Sequence, residues 1–311
     1  MADGTAERTN GSFPCGGPGG DGFGDWKQIL TMGIAVVGLL GNGLVLWLLG
    51  FRIPRSPFSV YILNLAAADA LFLCGLFAFY LKQFIGSFND VVTDHVMITF
   101  TFLFYHVGLS LLVAISTERC LSALFPLWYR CHRPKHTSAA VCALLWALAG
   151  LCCGIYCGLC IYTCDAPFCL AFPIALFVWF LLLTPLLCAS SLALVLRVQC
   201  GSRRRQPPRF YLLVVLTVLV FLLCGVPAGI VDFLYVFSGL EPRHHLASLL
   251  LACVNSSANP FIYFFLGSRR RRRGREPLRV VLQRALGGPQ EPESGGRDSL
   301  HTNTTEASAR G

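Results

Sequence analysis

The chain has 311 residues, of which 55% are hydrophobic and only 13% are charged, and its formal net charge is +9. Soluble proteins have about 25% charged residues, so this composition excludes a soluble catalytic domain and predicts one integral membrane domain. The net charge alone would suit a nucleic-acid-binding protein, but the basic residues gather between apolar stretches, which indicates a membrane topology instead.

Seven apolar stretches, here called spans one to seven, follow one another along the chain. Each has about the 20 residues that a helix needs to cross a bilayer. They cover residues 29–49, 58–81, 96–121, 138–162, 169–198, 210–237 and 246–266. We therefore predict an all-α fold with an N-terminal tail at 1–27 and a bundle of seven transmembrane helices at 28–267. An odd number of crossings places the two chain ends on opposite sides of the membrane.

The basic residues indicate which side is which. Of the 25 lysines and arginines, all but Arg8, Lys27, Lys82 and Arg243 lie in segments or span ends on the same side as the C-terminus. Because basic residues near span ends are retained in the cytoplasm, we predict an extracellular N-terminus at the plasma membrane. Asn10, in an Asn-Gly-Ser sequon of this outer tail, is then a candidate glycosylation site.

Spans one, two and seven carry polar residues at membrane depth. Asp69 lies in the middle of span two, and we expect Asn42, Asn255, Ser256 and Asn259 around it. Burying an ionisable group in a bilayer costs free energy, so we expect these polar residues to have a structural or functional role. It predicts either a structural hydrogen-bond network between helices or a site for water or a small cation such as Na⁺, and the two can coexist.

Span three ends with Glu118 and Arg119 at the predicted cytoplasmic face. The pair is either a charged stop at the interface or a guanidinium that changes partners when neighbouring helices move.

Prolines interrupt the last three spans at Pro185, Pro227 and Pro260. Each removes a backbone hydrogen bond and allows a kink. Gly225 and Gly229 flank Pro227, so span six is the predicted hinge; the alternative is a simple bend.

Asp232 is the other acid inside a span, on the outer side of Pro227. It either attracts cationic ligands in a water-filled vestibule or extends toward the outer interface with no ligand role. Tyr105, His106, Thr101 and Tyr156 are further candidates for the lining of this pocket; packing is the alternative for Tyr105 and His106.

The segment 268–286 follows span seven and is predicted to be a short amphipathic eighth helix. Its apolar stripe consists of Leu278, Val281, Leu282 and Leu286, and the arginines at 269–273 would attract anionic lipid. Residues 287–311 are predicted to be a disordered cytoplasmic tail. Its serines and threonines are either phosphorylation sites that recruit arrestin or ordinary residues of such a tail.

Other membrane proteins fit the sequence less well. A transporter would often show matching halves, and no internal repeat is visible. A retinal photoreceptor needs a lysine in span seven, but the lysines are Lys27, Lys82 and Lys135. His106 is the one histidine in the middle of a span, which argues against an enzyme or a metal site. We expect no enzymatic activity, no cofactor and no nucleic-acid partner.

Motifs in four spans resemble the signature set of rhodopsin-like G-protein-coupled receptors. They are Gly41-Asn42, Leu-Ala-Ala-Ala-Asp at 65–69, Trp146, and Asn-Pro-Phe-Ile-Tyr at 259–263. Ser-Thr-Glu-Arg-Cys-Leu-Ser at 116–122 and Phe-Leu-Leu-Cys-Gly-Val-Pro at 221–227 are similar to the Mas-related receptors, nearest to their X-type members.

This resemblance implies a cell-surface receptor that binds a peptide or small amphipathic ligand and activates heterotrimeric G proteins, in sensory or nociceptive signalling. It implies that activation and coupling involve Asn42, Asp69, Glu118, Arg119, Asn259, Pro260 and Tyr263. A transporter or a non-signalling seven-helix protein is the alternative.

The chain departs from the family pattern at several positions, so only some residue roles of the family are expected to apply to it. Mas-related receptors join span four to span five by a disulfide, and the matching positions are Cys160 and Cys169, with Cys157 and Cys164 close enough to compete. Relatives that bind cations have acids where this chain has Tyr156 and Pro173. Gly225 replaces the tryptophan that most rhodopsin-like receptors use as a switch, so the Gly-Pro hinge is predicted to act instead.

Overall fold

A computed structural model of the protein describes residues 26–54, 56–86, 91–134, 136–162, 166–200, 209–238, 242–268 and 277–286. The regular structure within these ranges is helical, with no strand among them. Seven of the helices that they contain are long and apolar enough to cross a membrane: Trp26–Arg52, Pro57–Ile85, Val96–Leu124, Thr137–Leu159, Ala171–Arg197, Tyr211–Ser238 and His244–Ser268. They match spans one to seven and confirm the predicted all-α bundle. We call its two faces inner and outer after the predicted orientation.

Two short helices lie at the inner face. The inner-loop helix, Pro126–Cys131, follows span three and was not predicted from the sequence. The C-terminal helix, Leu278–Leu286, occupies the second part of the predicted amphipathic segment. It packs back on the end of span seven, where Gly267 lies against the carbonyl oxygen of Val281.

Span two shows how local sequence sets the ends of a helix. It starts at a capping box in which the Ser59 backbone N–H donates to Ser56 Oγ at 3.1 Å and the Ser56 N–H donates to Ser59 Oγ at 2.7 Å. Pro57 occupies the first turn, where its missing N–H costs nothing. Gly86 ends the helix at φ +66°, a backbone conformation that glycine adopts without strain.

Span three forms the centre of the bundle and packs against spans two and five. In its apolar segment 61% of the residues are buried, against 11% in span five. Span four joins the bundle partly through Trp146, whose indole N–H donates to Asn64 Oδ1 of span two at 3.0 Å. Leucines such as Leu144 and Leu182 remain exposed on the outside of the bundle, as expected for side chains that face lipid.

Spans one and seven approach each other closely at small residues. A Cβ at Gly41 would lie 3.1 Å from Pro260 Cβ, and one at Gly38 would overlap Ser257 Oγ. Small residues allow two membrane helices to come this close, so packing at this interface fixes the position of Pro260.

Candidate functional site

The predicted polar network is present between spans one, two and seven. Asn259 Nδ2 donates to Asp69 Oδ2 at 2.7 Å, and both side chains are buried. Asn42 Nδ2 donates to the Ser256 carbonyl oxygen at 3.2 Å, and the Ser256 hydroxyl lies beside the Asp69 carboxylate. The structure therefore brings together four of the five polar residues that the sequence singled out; the fifth, Asn255, is buried on the same helix.

Two buried oxygens beside this network lack hydrogen-bond partners among the described residues. A Cβ at Gly108 of span three would lie 3.5 Å from Asp69 Oδ1, so glycine leaves room beside that oxygen. Asn42 Oδ1 is buried and has no hydrogen-bond partner among the described residues. Tyr263, which lies near Asp69, has a buried hydroxyl that also lacks a hydrogen-bond partner there. Buried oxygens of this kind are usually satisfied by water or an ion.

At the inner end of span three, Glu118 is bound by the segment that follows the span. Arg133 Nη2 and the Tyr129 hydroxyl both donate to Glu118 Oε1 at 2.6 Å. Arg133 also donates to Ser138 Oγ at 2.5 Å, which ties the cluster to span four. Burial and the hydrogen bond to Glu118 raise the pKa of the Tyr129 phenol above its usual value. Neither Tyr129 nor Arg133 was among the predicted site residues, because nothing in the chain pattern links them to Glu118.

Arg119 has a different environment from its neighbour. Its guanidinium lies over the ring of Phe58 in span two, with 3.9 Å between the guanidinium carbon and the ring centroid. A guanidinium stacks favourably on an aromatic face, so Phe58 holds Arg119 against span two.

A cluster of serines joins spans three and five deeper in the bundle. The Ser116 hydroxyl lies 2.7 Å from Ser190 Oγ and 2.8 Å from Ser191 Oγ, and all three residues are buried. Ser190 also donates to the Leu187 carbonyl oxygen at 3.1 Å. These serines were not among the predicted site residues. They connect the helix that carries Arg119 to span five.

Span six changes its helical geometry where the hinge was predicted. Phe221–Gly225 forms one turn of π-helix, in which the Val226 N–H donates to the carbonyl oxygen of Phe221. A Cβ at Gly225 would lie 2.5 Å from Phe221 Cδ2 and 3.2 Å from the Tyr105 hydroxyl. The Phe221 ring therefore packs into space that a larger residue at position 225 would occupy. π-Turns often mark functional sites, and the sequence did not reveal that Phe221 lies in one beside the predicted hinge.

Aromatic rings connect this hinge to the outer face. Starting at the outer end of span six, ring centroids are 4.5 Å apart for Phe237 and Phe233, 3.7 Å for Phe233 and Phe177, and 6.2 Å for Phe177 and Phe180. Phe180 then lies 6.1 Å from Phe221. Rearrangement of the outer rings can thus reach the π-helix through contacting side chains.

Asp232 faces span seven near the outer end of the bundle. Its Oδ1 lies 3.3 Å from His245 Nδ1, and the imidazole stacks on Tyr235 with centroids 4.2 Å apart. Tyr105 and His106 of span three are within electrostatic range of Asp232. His245 was missed in the sequence because its spacing from Asp232 follows no motif.

The remaining pocket candidates lie in other contacts. His106 Nδ1 donates to the Phe102 carbonyl oxygen at 2.9 Å. Thr101 is buried against Gly75 of span two and donates to the Met97 carbonyl oxygen at 2.7 Å. Tyr156 packs on Phe172 of span five, with centroids 4.4 Å apart. None of these contacts involves Asp232 itself, although His106 is within electrostatic range of its carboxylate.

Some predicted residues lie outside the described ones. Asn10 is among them, and so are the side chains of Cys160 and Cys169. Cys157, one of the competing cysteines, carries a free thiol.

Comparison with known proteins identifies relatives along most of the chain. Residues 41–263 match the family described as 7 transmembrane receptor (rhodopsin family). Mas-related G-protein coupled receptor member X1 of Homo sapiens is 47% identical over 276 residues, which cover 86% of this chain and 85% of the relative. Member X2 of Hoolock hoolock is 49% identical over 269 residues, covering 83% of this chain and 82% of the relative. Member X2 of Homo sapiens is 48% identical over 270 residues with the same coverage.

Proposed function

This chain belongs to the Mas-related G-protein coupled receptors of the rhodopsin family, and from this membership we propose how its residues receive and transmit a signal. It is a multi-pass receptor of the plasma membrane that binds an extracellular ligand and couples to heterotrimeric G proteins. Receptors of this family are not enzymes, and the transporter alternative is not favoured.

We propose that activation separates Arg119 from Phe58 and tilts span six outward at the Phe221–Gly225 π-helix. The observation that carries this proposal is that the Arg119 guanidinium stacks on Phe58 of span two, whereas Glu118 accepts hydrogen bonds from Arg133 and Tyr129. Outward movement of span six would open an inner cavity in which a helix of the G protein contacts Arg119. Tyr263, on the Asn259-Pro260 segment of span seven, would turn toward the same cavity.

The test is nucleotide exchange on purified G protein, with the receptor in lipid nanodiscs and agonists taken from a ligand screen. We expect Arg119→Ala to lower agonist-stimulated exchange at least about tenfold, which corresponds to about 1.4 kcal/mol of coupling free energy. Arg197→Ala is the matched control, because Arg197 is an exposed arginine at the end of span five. Unchanged exchange by the Arg119 variant at equal expression would contradict the proposed role.

We propose that the ligand is a peptide or small amphipathic molecule with a cationic group. Asp232 supplies a half-exposed carboxylate at the outer end of span six, and Phe177, Phe233 and Phe237 supply an apolar wall nearby. Tyr105 and His106 would line the bottom of this pocket, while Thr101 and Tyr156 would act from its sides through packing. The family resemblance supports a role in sensory or nociceptive signalling.

We propose that Na⁺ or water binds beside Asp69. Hard oxygen donors suit a small hard cation, and the residues fit such a ligand: Asp69 Oδ1 has space next to Gly108, and Asn42 Oδ1 lacks a partner among the described residues. Asn255 and Asn259 would complete the surroundings of the ion. Bound cation would stabilise the conformation in which these oxygens converge.

The remaining proposals concern the two tails, the disulfide and the amphipathic segment. The N-terminal tail at 1–27 would be extracellular and glycosylated at Asn10, and a Cys160–Cys169 disulfide would join spans four and five. The bundle would span 28–267, and the amphipathic segment at 268–286 would bind anionic lipid through its arginines. The tail at 287–311 would recruit arrestin after phosphorylation.

A further inference from the structure

We propose that Asp232 and His245 together form a proton-binding site that controls access of cationic ligands to the receptor. The Oδ1–Nδ1 distance of 3.3 Å places the two groups at ion-pair distance between spans six and seven. The side chains are 31% and 20% exposed, so protons can reach the site from water. The inference rests on the proposed outer position of this end of the bundle.

The imidazole is held in one orientation. Tyr235 stacks on it with ring centroids 4.2 Å apart and planes inclined by 13°. His245 Nδ1 itself is buried and has no hydrogen-bond partner of good geometry among the described residues, so the Asp232 carboxylate is its nearest polar neighbour there. The stacked ring places its Nδ1 toward Asp232.

Few other charges act on the pair. From span six it faces Tyr235, and from span three Tyr105 and His106 lie within electrostatic range of Asp232. Neither Asp232 nor His245 has a second ion-pair partner in the part of the chain that the structure describes. His244 is the exposed neighbour of His245; Glu241 and the Arg243 side chain lie outside the described residues.

Protonation changes the net charge of this site. With a neutral imidazole the pair carries one negative charge, which attracts a cationic ligand. When the imidazole takes up a proton, the pair becomes a neutral ion pair. A proton and a cationic ligand thus compete for the same carboxylate. The ion pair also ties span six to span seven, so its contribution to stability is present at low pH and is lost as the imidazole deprotonates.

The competition between proton and ligand predicts how far the apparent affinity for a cation falls. One pH unit below the midpoint of protonation, about one tenth of the receptors retain the free carboxylate, so the apparent affinity for a cation falls about tenfold. Affinity for a neutral ligand of the same shape should stay constant.

The site is tested without a ligand by the thermal unfolding of the full-length receptor in nanodiscs between about pH 5.5 and 8. We expect the melting temperature of the wild type to exceed that of His245→Gln by a margin that grows by about 2 °C as the pH falls through this range. His244→Gln is the matched control and should follow the wild type at every pH. Parallel curves for wild type and His245→Gln would overturn the proposal.

A second variant keeps the test decisive if His245→Gln does not fold. Asp232→Asn preserves the shape and the hydrogen-bonding capacity of the carboxylate but removes its charge. In this variant the acid-dependent part of the wild-type stability should disappear; its retention would overturn the proposal. Because unfolding requires no G protein, failure of this proposal is distinguishable from failure of the proposed signalling mechanism.

Discussion

Glu118 and Arg119 are adjacent in the chain, yet Glu118 accepts hydrogen bonds whereas Arg119 stacks on an aromatic ring. Glu118 belongs to a cluster with Arg133, Tyr129 and Ser138, whereas Arg119 stacks on Phe58. The cluster fixes the inner-loop helix against the bundle, and Arg119 packs on span two. At the scale of single residues, the stability of the inner face and the coupling to G protein are therefore expected to respond to different substitutions.

The first prediction concerns the Glu118–Arg133 pair, whose side chains are only 10% and 8% exposed. Arg133→Gln leaves the Glu118 carboxylate buried without its cation and should lower the free energy of unfolding by about 2 kcal/mol. Thermal melting with a thiol-reactive dye measures the loss, because Cys142, Cys153 and Cys253 are buried free thiols.

Two variants make this prediction specific. Arg197→Gln removes an exposed arginine and should leave the melting temperature nearly unchanged. Adding Glu118→Gln to Arg133→Gln should restore part of the lost stability, since the unpaired charge is gone. If the double variant is less stable than Arg133→Gln alone by the full cost of a second loss, the two residues are not coupled.

The second prediction concerns the polar network at Asp69. Replacing choline with Na⁺ in the buffer should raise the melting temperature of the receptor, because a ligand that binds only the folded state stabilises it, by about 1.4 kcal/mol at ten times its Kd. Asp69→Asn should abolish the difference between the two cations. Asp94→Asn is the control, because Asp94 pairs with Lys82 at 2.7 Å and takes no part in the network. An equal response to Na⁺ in all three proteins would argue against a site at Asp69.

Some contacts between single residues could be predicted from the sequence, and others could not. The pairing of Asp69 with Asn259 was predictable, because polar residues at the same depth of a bundle must find each other in the absence of water. The partners Arg133 and His245 were not, since their contacts depend on where a loop and a helix end finally lie. No periodicity in the sequence encodes those positions.

At the scale of elements, span six combines a π-turn, a glycine and a proline within a few residues. Pro227 lacks the N–H that a regular helix requires, and this was evident from the sequence. The π-turn at Phe221–Gly225 was not, because a wider turn forms only where neighbouring side chains fill the space beside it. Phe221 packs beside Phe180 of span five and against Gly225, and Gly225 also faces the Tyr105 hydroxyl of span three. The geometry of the predicted hinge therefore depends on three spans packed together.

The third prediction tests this hinge through Gly225. A methyl group there would lie 2.5 Å from Phe221 Cδ2, so Gly225→Ala must displace the ring and should destabilise the receptor by about 1–3 kcal/mol. Melting temperatures measure the effect. Gly43→Ala is the control, because a Cβ at Gly43 of span one meets nothing within 4 Å.

A compensating change shows whether the ring is the cause. Combining Gly225→Ala with Phe221→Leu should recover part of the stability, because leucine can vacate the space that the new methyl group takes. Additive losses in the double variant would mean that Gly225 is needed for another reason, such as backbone geometry.

At the scale of the whole molecule, the bundle and the number of crossings were predictable from seven apolar stretches alone. Bilayer thickness sets helix length, so this prediction needs no knowledge of packing. The order of burial was not predictable in the same way. Span three is the most buried of the seven spans and span five the least, although span five is the more apolar of the two. Burial depends on the arrangement of helices around the centre.

The last prediction concerns orientation, for which the chain supplies its own matched control. Both Asn10 and Asn303 lie in Asn-X-Ser/Thr sequons, one in each tail. Because glycosylation occurs only on the side that becomes extracellular, the distribution of basic residues predicts a glycan on Asn10 alone. Glycosidase treatment should therefore increase the gel mobility of the wild type and of Asn303→Gln but not that of Asn10→Gln. The reverse pattern would place the arginine-rich segments outside, and with them the Arg119 face.

If neither tail carries a glycan, an epitope at the N-terminus decides the orientation. Labelling of this epitope on intact cells supports an extracellular N-terminus, and labelling only after permeabilisation contradicts it.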